Sequence, residues 1–403
     1  MSQTMIAPLR KHSRRLARPL ASRGFTLVEL MVGMLLGLIT VLVASQVILQ
    51  TESRKRTSTA GSDATTTGAM AIYTIERDAR NAGYGMTAQL AVLGCEIRMQ
   101  FTGQAVQTFT LAPVEITQGA NGAPDTLRFM ASNKEGVPLP IRVAVDHPRT
   151  AANFFVQSDL GVEQGDIMLA VPPTPDPNNW CSLCQVTNNT NPGGGGGNQG
   201  GGQGQNQVLH NSGQSPWNQA GGQTIFPVDG YPQGSTILNL GTFSLRTYSI
   251  VNNGLQLDWL DTATGLNQTR ELYPQVIQFQ AQYGLDLTND NITNVQDADW
   301  VDIATPAQLG SVVAIRLAVV ARSNVQEKPE LDAGGNEIPL TVAGTNANCQ
   351  NLAARNPRAV CWAGGVINAL NTNNPGATDW QRYRYRVFET VIPLRNMIWP
   401  QQE

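Results

Sequence analysis

Five cysteines, Cys95, Cys181, Cys184, Cys349 and Cys361, are the first groups to weigh, because thiols can hold metal, carry electrons or staple a fold. Cys181-Ser-Leu-Cys184 has the spacing of a zinc knuckle or of a thioredoxin-type redox pair. Zinc needs a second Cys or His pair at matching spacing, and the redox motif needs a strand running into a helix; the sequence offers neither. If the chain beyond residue 50 is exported to an oxidising compartment, structural disulfides are the better reading. Cys349 and Cys361, which enclose a short polar loop, then form one expected pair, Cys95 pairs with Cys181 or Cys184, and one thiol is left over.

Carboxylates offer a second chemistry. Asp286-Leu-Thr288-Asn-Asp290-Asn291, with Asp297 twelfth in the count from Asp286, is a frayed calcium loop. The full pattern has Gly sixth and Glu twelfth. Here Asn291 would have to supply the left-handed turn and Thr288 takes a ligand position. A solvated hairpin turn is therefore the favoured reading, with calcium held by Asp286, Thr288, Asp290 and Asp297 as the alternative. Groups for catalysis are scarcer. His12 lies in a basic amino-terminal stretch, His147 follows Asp146 in a turn before Pro148, and His210 falls in a tract of Gly, Asn and Gln. No Gly-x-Ser-x-Gly elbow or other activated nucleophile accompanies them. The expectation is a protein that is not an enzyme and carries no cofactor, calcium apart.

Glu29 is a carboxylate of another kind, because it stands at the threshold of Leu30 to Thr51, 22 residues without a charge. As a helix that run is long enough to cross the roughly 30 Å hydrocarbon core of a membrane. A charge at its edge is costly unless paired, which makes Glu29 a functional candidate. Arg10, Lys11, Arg14, Arg15, Arg18 and Arg23 precede it with no acid among them. Such a basic flank stays cytoplasmic and sends the rest of the chain across the membrane. The apolar run is too long, and lacks the small-residue cleavage site, for an ordinary secretory signal. Gly33 and Gly37 have the spacing that lets helices approach closely. Without residues 1–24 and their six positive charges, the formal net charge moves from −3 to −9. A domain that acidic has no general attraction for nucleic acid.

The elements that must position these groups are a helix followed by strands. Ile72, Ile75, Ala79 and Ala82 recur at spacings of three and four, so the apolar helix continues as an amphipathic one until Gly83-Tyr84-Gly85 ends it. Beyond it, Leu127, Phe129 and Ala131 alternate with polar residues, and Ile167 to Val171 is a short apolar run. Asn252-Asn253-Gly254 is a hairpin signal between two strands. Ile277, Phe279, Ala281 and Tyr283 alternate with three glutamines as in a half-buried strand, and Val312 to Val320 reads as a central strand carrying Arg316. Tyr383, Tyr385 and Val387 alternate with Arg382, Arg384 and Arg386, a solvated basic face.

Three of these stretches carry a family resemblance. Arg23-Gly24-Phe25-Thr26-Leu27-Val28-Glu29-Leu30 resembles the class III signal of type IV prepilins and type II secretion pseudopilins. Ile75-Glu76-Arg77-Asp78-Ala79-Arg80-Asn81-Ala82-Gly83-Tyr84 is similar to the helix end of PilW-type minor pilins and J-type pseudopilins. Val313-Ala314-Ile315-Arg316-Leu317, Ala321-Arg322-Ser323, Tyr385-Arg386-Val387-Phe388 and Val391 to Asn396 resemble the carboxy-terminal half of PilW. The resemblance implies cleavage after Gly24 by a prepilin peptidase and methylation of the new amine on Phe25. Glu29, then fifth in the mature chain, would neutralise that amine on a neighbouring subunit in a water-free fibre core.

The implied fold is α+β, a long amino-terminal transmembrane and amphipathic helix packed on an antiparallel, β-rich periplasmic domain. Its expected parts are a leader (1–24), the helix (25–84, of which 25–51 is membrane or fibre core), β-rich segments at 85–184 and 225–403, and a flexible Gly/Asn/Gln-rich insertion at 185–224 between them. The implied function is that of a minor pilin that primes type IV pilus assembly in a tip complex. A minor pseudopilin of type II secretion and a tip adhesion module are the alternatives. Its implied partners are other minor pilins, the major pilin, the prepilin peptidase, the inner-membrane assembly machinery and the inner membrane itself. Its implied location is the inner membrane, crossed once, and then the pilus, at the tip.

Overall fold

The computed structural model describes residues 24–87, 89–135, 139–187, 206–220, 223–287, 299–326, 330–331, 333–338, 359–368, 383 and 385–398. The chain divides into two units, Met1–Arg56 and Thr57–Glu403. Helix α1, Leu27–Asn81, begins where Thr26 caps it: the Thr26 hydroxyl accepts from the Glu29 backbone N–H at 3.2 Å, satisfying one donor that the first turn cannot. Every described side chain from Gly24 to Thr51 is exposed.

Within the second unit α1 has a buried stripe, Ala64, Gly68, Ala71, Ile75 and Ala79, continued by Ala82 just past its end, at the expected spacing of three and four. Small residues on this stripe let a sheet come close. A Cβ added to Gly68 would fall well inside van der Waals contact of the Phe388 ring. The helix ends at Asn81, and Gly83, at φ 81°, turns the chain away with its N–H donating to Met130 O at 2.8 Å.

Three larger sheets follow. The first contains β1 (Glu96–Met99), β2 (Gln107–Thr110), β5 (Ile141–Arg142), β7 (Ile167–Val171), β8 (Cys181–Gln185) and β10 (Thr236–Gly241), in the order β2-β1-β8-β7-β10-β5. The second contains β3 (Val114–Thr117), β4 (Thr126–Ala131), β11 (Ser244–Val251), β12 (Gly254–Asp261) and β13 (Leu266–Pro274), ordered β13-β12-β11-β4-β3. The third contains β14 (Val276–Leu285), β15 (Trp300–Val301), β16 (Val312–Arg322) and β21 (Tyr385–Pro393), ordered β15-β14-β16-β21. Two-stranded pairs join β6 (Asn153–Val156) to β9 (Asn206–Leu209), β17 (Glu330–Leu331) to β18 (Glu337–Ile338), and β19 (Ala359–Trp362) to β20 (Gly365–Asn368). A short helix α2, Arg395–Ile398, follows β21. Among the described strands, pairing is antiparallel except between β1 and β8, where Ile97 faces Cys181 in parallel register.

The α+β expectation holds, and so do the local signals. Asn252 and Asn253, at φ 51° and 61°, form the two-residue turn that twists with its flanking strands β11 and β12. The uninterrupted apolar run of β7 is explained by its place between two cores: Ile167, Leu169 and Val171 face the larger, Met168 and Ala170 the smaller. Val312 to Val320 is indeed central, flanked by β14 and β21.

Three features refine or correct the expectations. First, 85–184 and 225–403 share their sheets, β10 lying between β7 and β5 and β11 between β4 and β12, and both belong to the Thr57–Glu403 unit. Second, the tract 185–224 is not uniformly flexible. Gln185 completes β8, Asn206–Leu209 is β9, and Trp217 is buried with its indole N–H donating to Thr262 O at 2.9 Å. Composition hides this because β9 finds its partner, β6, some fifty residues earlier in the chain. The five glycines Gly193 to Gly197 lie outside the described residues. Third, the polar face of β14 is covered. Gln278 is fully buried, and its amide donates to Gly122 O at 2.8 Å, as that of Gln280 does to Ala123 O at 2.8 Å. Buried amides are tolerated where carbonyls meet them.

Candidate functional site

The amino-terminal site is a short polar start to a long apolar helix. Gly24, Phe25 and Thr26 precede α1 outside any helix or strand, Phe25 is 81% exposed, and Glu29 supplies the acid of the first helical turn, where the helix dipole favours it. Leu27–Glu52 is long and apolar enough to cross a membrane, and among the described residues none buries any of it. An apolar surface of that length is stable only against lipid or other apolar helices.

A second site is the end of α1, inside the Thr57–Glu403 unit. Asp78, 8% exposed, accepts from the Arg246 guanidinium at 3.0 and 2.9 Å and from the Tyr248 hydroxyl at 2.6 Å. Both partners sit on β11. Burial raises the Tyr248 hydroxyl far above its ordinary value, with the Asp78 charge beside it acting in the same direction. Burial works against the Arg246 charge, but the Asp78 hydrogen bond and charge outweigh it and raise that group too. Asn396, in α2, donates to Asn81 O at 3.3 Å and Ala82 O at 3.0 Å, and its own carbonyl accepts from Thr87 Oγ1 at 2.7 Å. The last carbonyls of α1, which have no partner within the helix, are thus taken by a residue 314 positions away. On the solvent side Glu76 and Arg80 form the expected i,i+4 pair.

The helix end and the strands that grip it therefore come from opposite ends of the sequence. Residues 244–396 match the family model described as Type IV Pilus-assembly protein W, and residues 20–45 match the prokaryotic N-terminal methylation motif. Over these two regions the chain is similar to PilW-type minor pilins. No curated protein and no solved structure matches it. The PilW region opens at Ser244, the first residue of β11, and closes at Asn396, so it takes in both Arg246 and the Asn396 clasp. The helix-end motif and the carboxy-terminal motif thus meet in one structural joint.

The other predicted residues fall as follows. Cys95 and Cys181 form a disulfide, with Cα atoms 5.9 Å apart, beside the parallel pairing of β1 and β8. Of the two candidates for Cys95 it is thus Cys181 that reaches it, while Cys184 is a buried free thiol whose burial pushes it up to about 12. Cys181 faces the larger core and Cys184 the smaller, so one strand sends its two thiols to opposite sides. Cys349 lies outside the described residues, as does the Cys361 side chain. Asp286 is buried at the end of β14, its N–H donating to Ser311 O at 2.8 Å. Thr288, Asp290 and Asp297 lie outside the described residues. Asp146 accepts from the N–H of Gln233, 87 positions away, at 2.6 Å.

Sequence reasoning missed the pairing of His147 with His210. Their Nε2 atoms lie 2.9 Å apart in the smaller core, and the His147 ring stacks on Phe154 at 3.8 Å. Burial lowers His147 to about 4, and burial together with the neighbouring His147 lowers His210 to about 3. The pair is neutral, one ring donating and the other accepting. Nothing in the sequence marked it, because His210 is brought to His147 by the β6–β9 pairing.

Proposed function

We propose that this PilW-type protein primes type IV pilus assembly as part of a minor pilin complex at the fibre tip. It is made as a precursor held in the inner membrane by α1, with the Thr57–Glu403 unit in the periplasm. The prepilin peptidase cuts after Gly24 and methylates Phe25. Glu29 then neutralises the Phe25 amine of the neighbouring subunit as the apolar helices leave lipid for one another. The observation that carries this reading is the uncovered apolar helix Leu27–Glu52, which starts at the Gly-Phe-Thr-Leu-Val-Glu junction. No described residue buries that helix, so assembly supplies what lipid supplied before. The residues around it bind and orient other subunits; no catalytic step is assigned to them.

The test is a deletion scored for surface pili and complemented with the wild-type chain, with Glu29→Ala and with Gly24→Ala. The expected result is loss of pili in the deletion, rescue by the wild type alone, and accumulation of uncut Gly24→Ala protein. Unchanged piliation in the deletion refutes the assembly role. Pili restored by unprocessed Gly24→Ala protein would refute the maturation step.

A further inference from the structure

Beside the end of α1 lies a groove of about 680 Å³, open to solvent and lined by Arg77, Arg80, Arg246 and Arg395 among others. That volume is within the range of ligand-binding clefts. Arg246 and Arg80 are engaged by the fold, whereas Arg77 and Arg395 are not consumed by it. Asn396 takes the carbonyls of Asn81 and Ala82, so the helix end does not need a cation to satisfy them. Asp78 is saturated by Arg246 and Tyr248, and Glu76 pairs with Arg80. Arg77 is 59% exposed, with Nε 3.6 Å from Asp78 as a third cation or donor on a carboxylate already engaged. Arg395 is exposed, and no hydrogen bond or ion pair engages its guanidinium among the described residues. Two arginine forks thus face the groove in excess of the acids that line or flank it. This occurs in a chain that from Phe25 onward has a formal charge of −9.

We propose that this groove docks an acidic segment of another pilus subunit, whose carboxylates pair with Arg77 and Arg395. The identity of the source rests on the assembly role proposed above. Planar guanidiniums hold carboxylates through two parallel hydrogen bonds, which lysine cannot do. Tyr84, 37% exposed, gives the groove an apolar wall beside the charges, suited to a peptide that carries apolar as well as acidic side chains rather than to a small inorganic anion. Because Arg395 neighbours Asn396, an occupant would bear directly on the clasp that holds the end of α1.

The probe is a labelled peptide of four glutamates interleaved with leucines, with its glutamine counterpart as control, titrated against the full chain in detergent. The glutamate peptide is expected to bind at least about tenfold more tightly than the glutamine peptide at low salt, and to weaken as salt rises. Arg77→Glu with Arg395→Glu should abolish the difference, while Arg77→Lys with Arg395→Lys retains the charge-dependent part. Arg77→Ala with Arg395→Ala serves if the reversal fails to fold. Equal binding of the two peptides, or binding unaffected by the double replacement, overturns the groove as an acid-binding site. In cells, the double reversal should also lower co-purification of other pilus subunits. Unaltered co-purification beside lost peptide binding overturns the choice of a pilus subunit as the source, whereas piliation of the deletion strain judges the assembly role alone.

Discussion

Acidification should weaken this protein through the His147–His210 pair. Both imidazoles are buried and neutral, held near pKa 4 and pKa 3 against an ordinary value of 6.5. Lowered values mean that the unfolded chain binds protons first. The stabilisation is therefore complete above about pH 6.5, falls as pH drops toward the folded values, and stops falling below about pH 3. Between pH 7 and pH 5 each histidine removes about 2 kcal/mol, so the pair removes roughly 3 to 4 kcal/mol. That is a large share of the roughly 5 to 15 kcal/mol that hold a typical domain. Asp125 acts the other way. Burial raises it to about 6, even though the N–H groups of Gly119 and Ala281 favour its charge at 2.9 and 2.8 Å. Its protonation over the same interval restores about 1 kcal/mol. The assay is urea unfolding of the full chain in detergent at pH 5, 6 and 7, comparing wild type with His147→Gln/His210→Gln. The wild type should lose about 3 kcal/mol more than the variant on going from pH 7 to pH 5. Parallel losses in the two proteins would refute the reasoning. If the variant does not fold, the wild-type slope near pH 5.5 should still carry an uptake of nearly two histidine protons on unfolding, less what Asp125 gives up.

Three further outcomes follow from the packing. Gly68→Ala should destabilise the protein by about 1 to 2 kcal/mol in thermal melts, since the overpacking cost against the Phe388 ring exceeds the helix propensity gained. Asp78→Ala should cost about 1 to 3 kcal/mol by leaving the buried Tyr248 hydroxyl without its acceptor, and protease cleavage near Gly83 measures whether the helix end loosens. Cys95→Ser with Cys181→Ser opens a loop of 86 residues and should cost up to about 4.5 kcal/mol, read as a lower urea midpoint, whereas Cys184→Ala should leave the non-reducing gel mobility unchanged.

What could be read from the chain alone was whatever depends on neighbours in sequence. The end of α1 near Gly83 and the Asn252-Asn253 turn are set by a few adjacent residues, and each lies where its pattern places it. The joint that secures α1 was legible only in part. Glu76 and Arg80 account for two charges of the helix-end motif through a local pair, but nothing local accounts for Asp78, whose partners are 168 and 170 positions away. The same distance hid the fate of the polar glutamines on β14, where alternation indicated solvent and the fold instead supplied the carbonyls of Gly122 and Ala123. It also hid His210, which composition assigned to a flexible tract. Polar residues whose partners are remote in sequence carry no periodic signature, and in this chain they hold the helix end and the smaller core. The family resemblance located the joint by naming both halves of it; the chemistry that closes it, a carboxylate between an arginine and a tyrosine and an asparagine on the last carbonyls, became visible only when the two halves met.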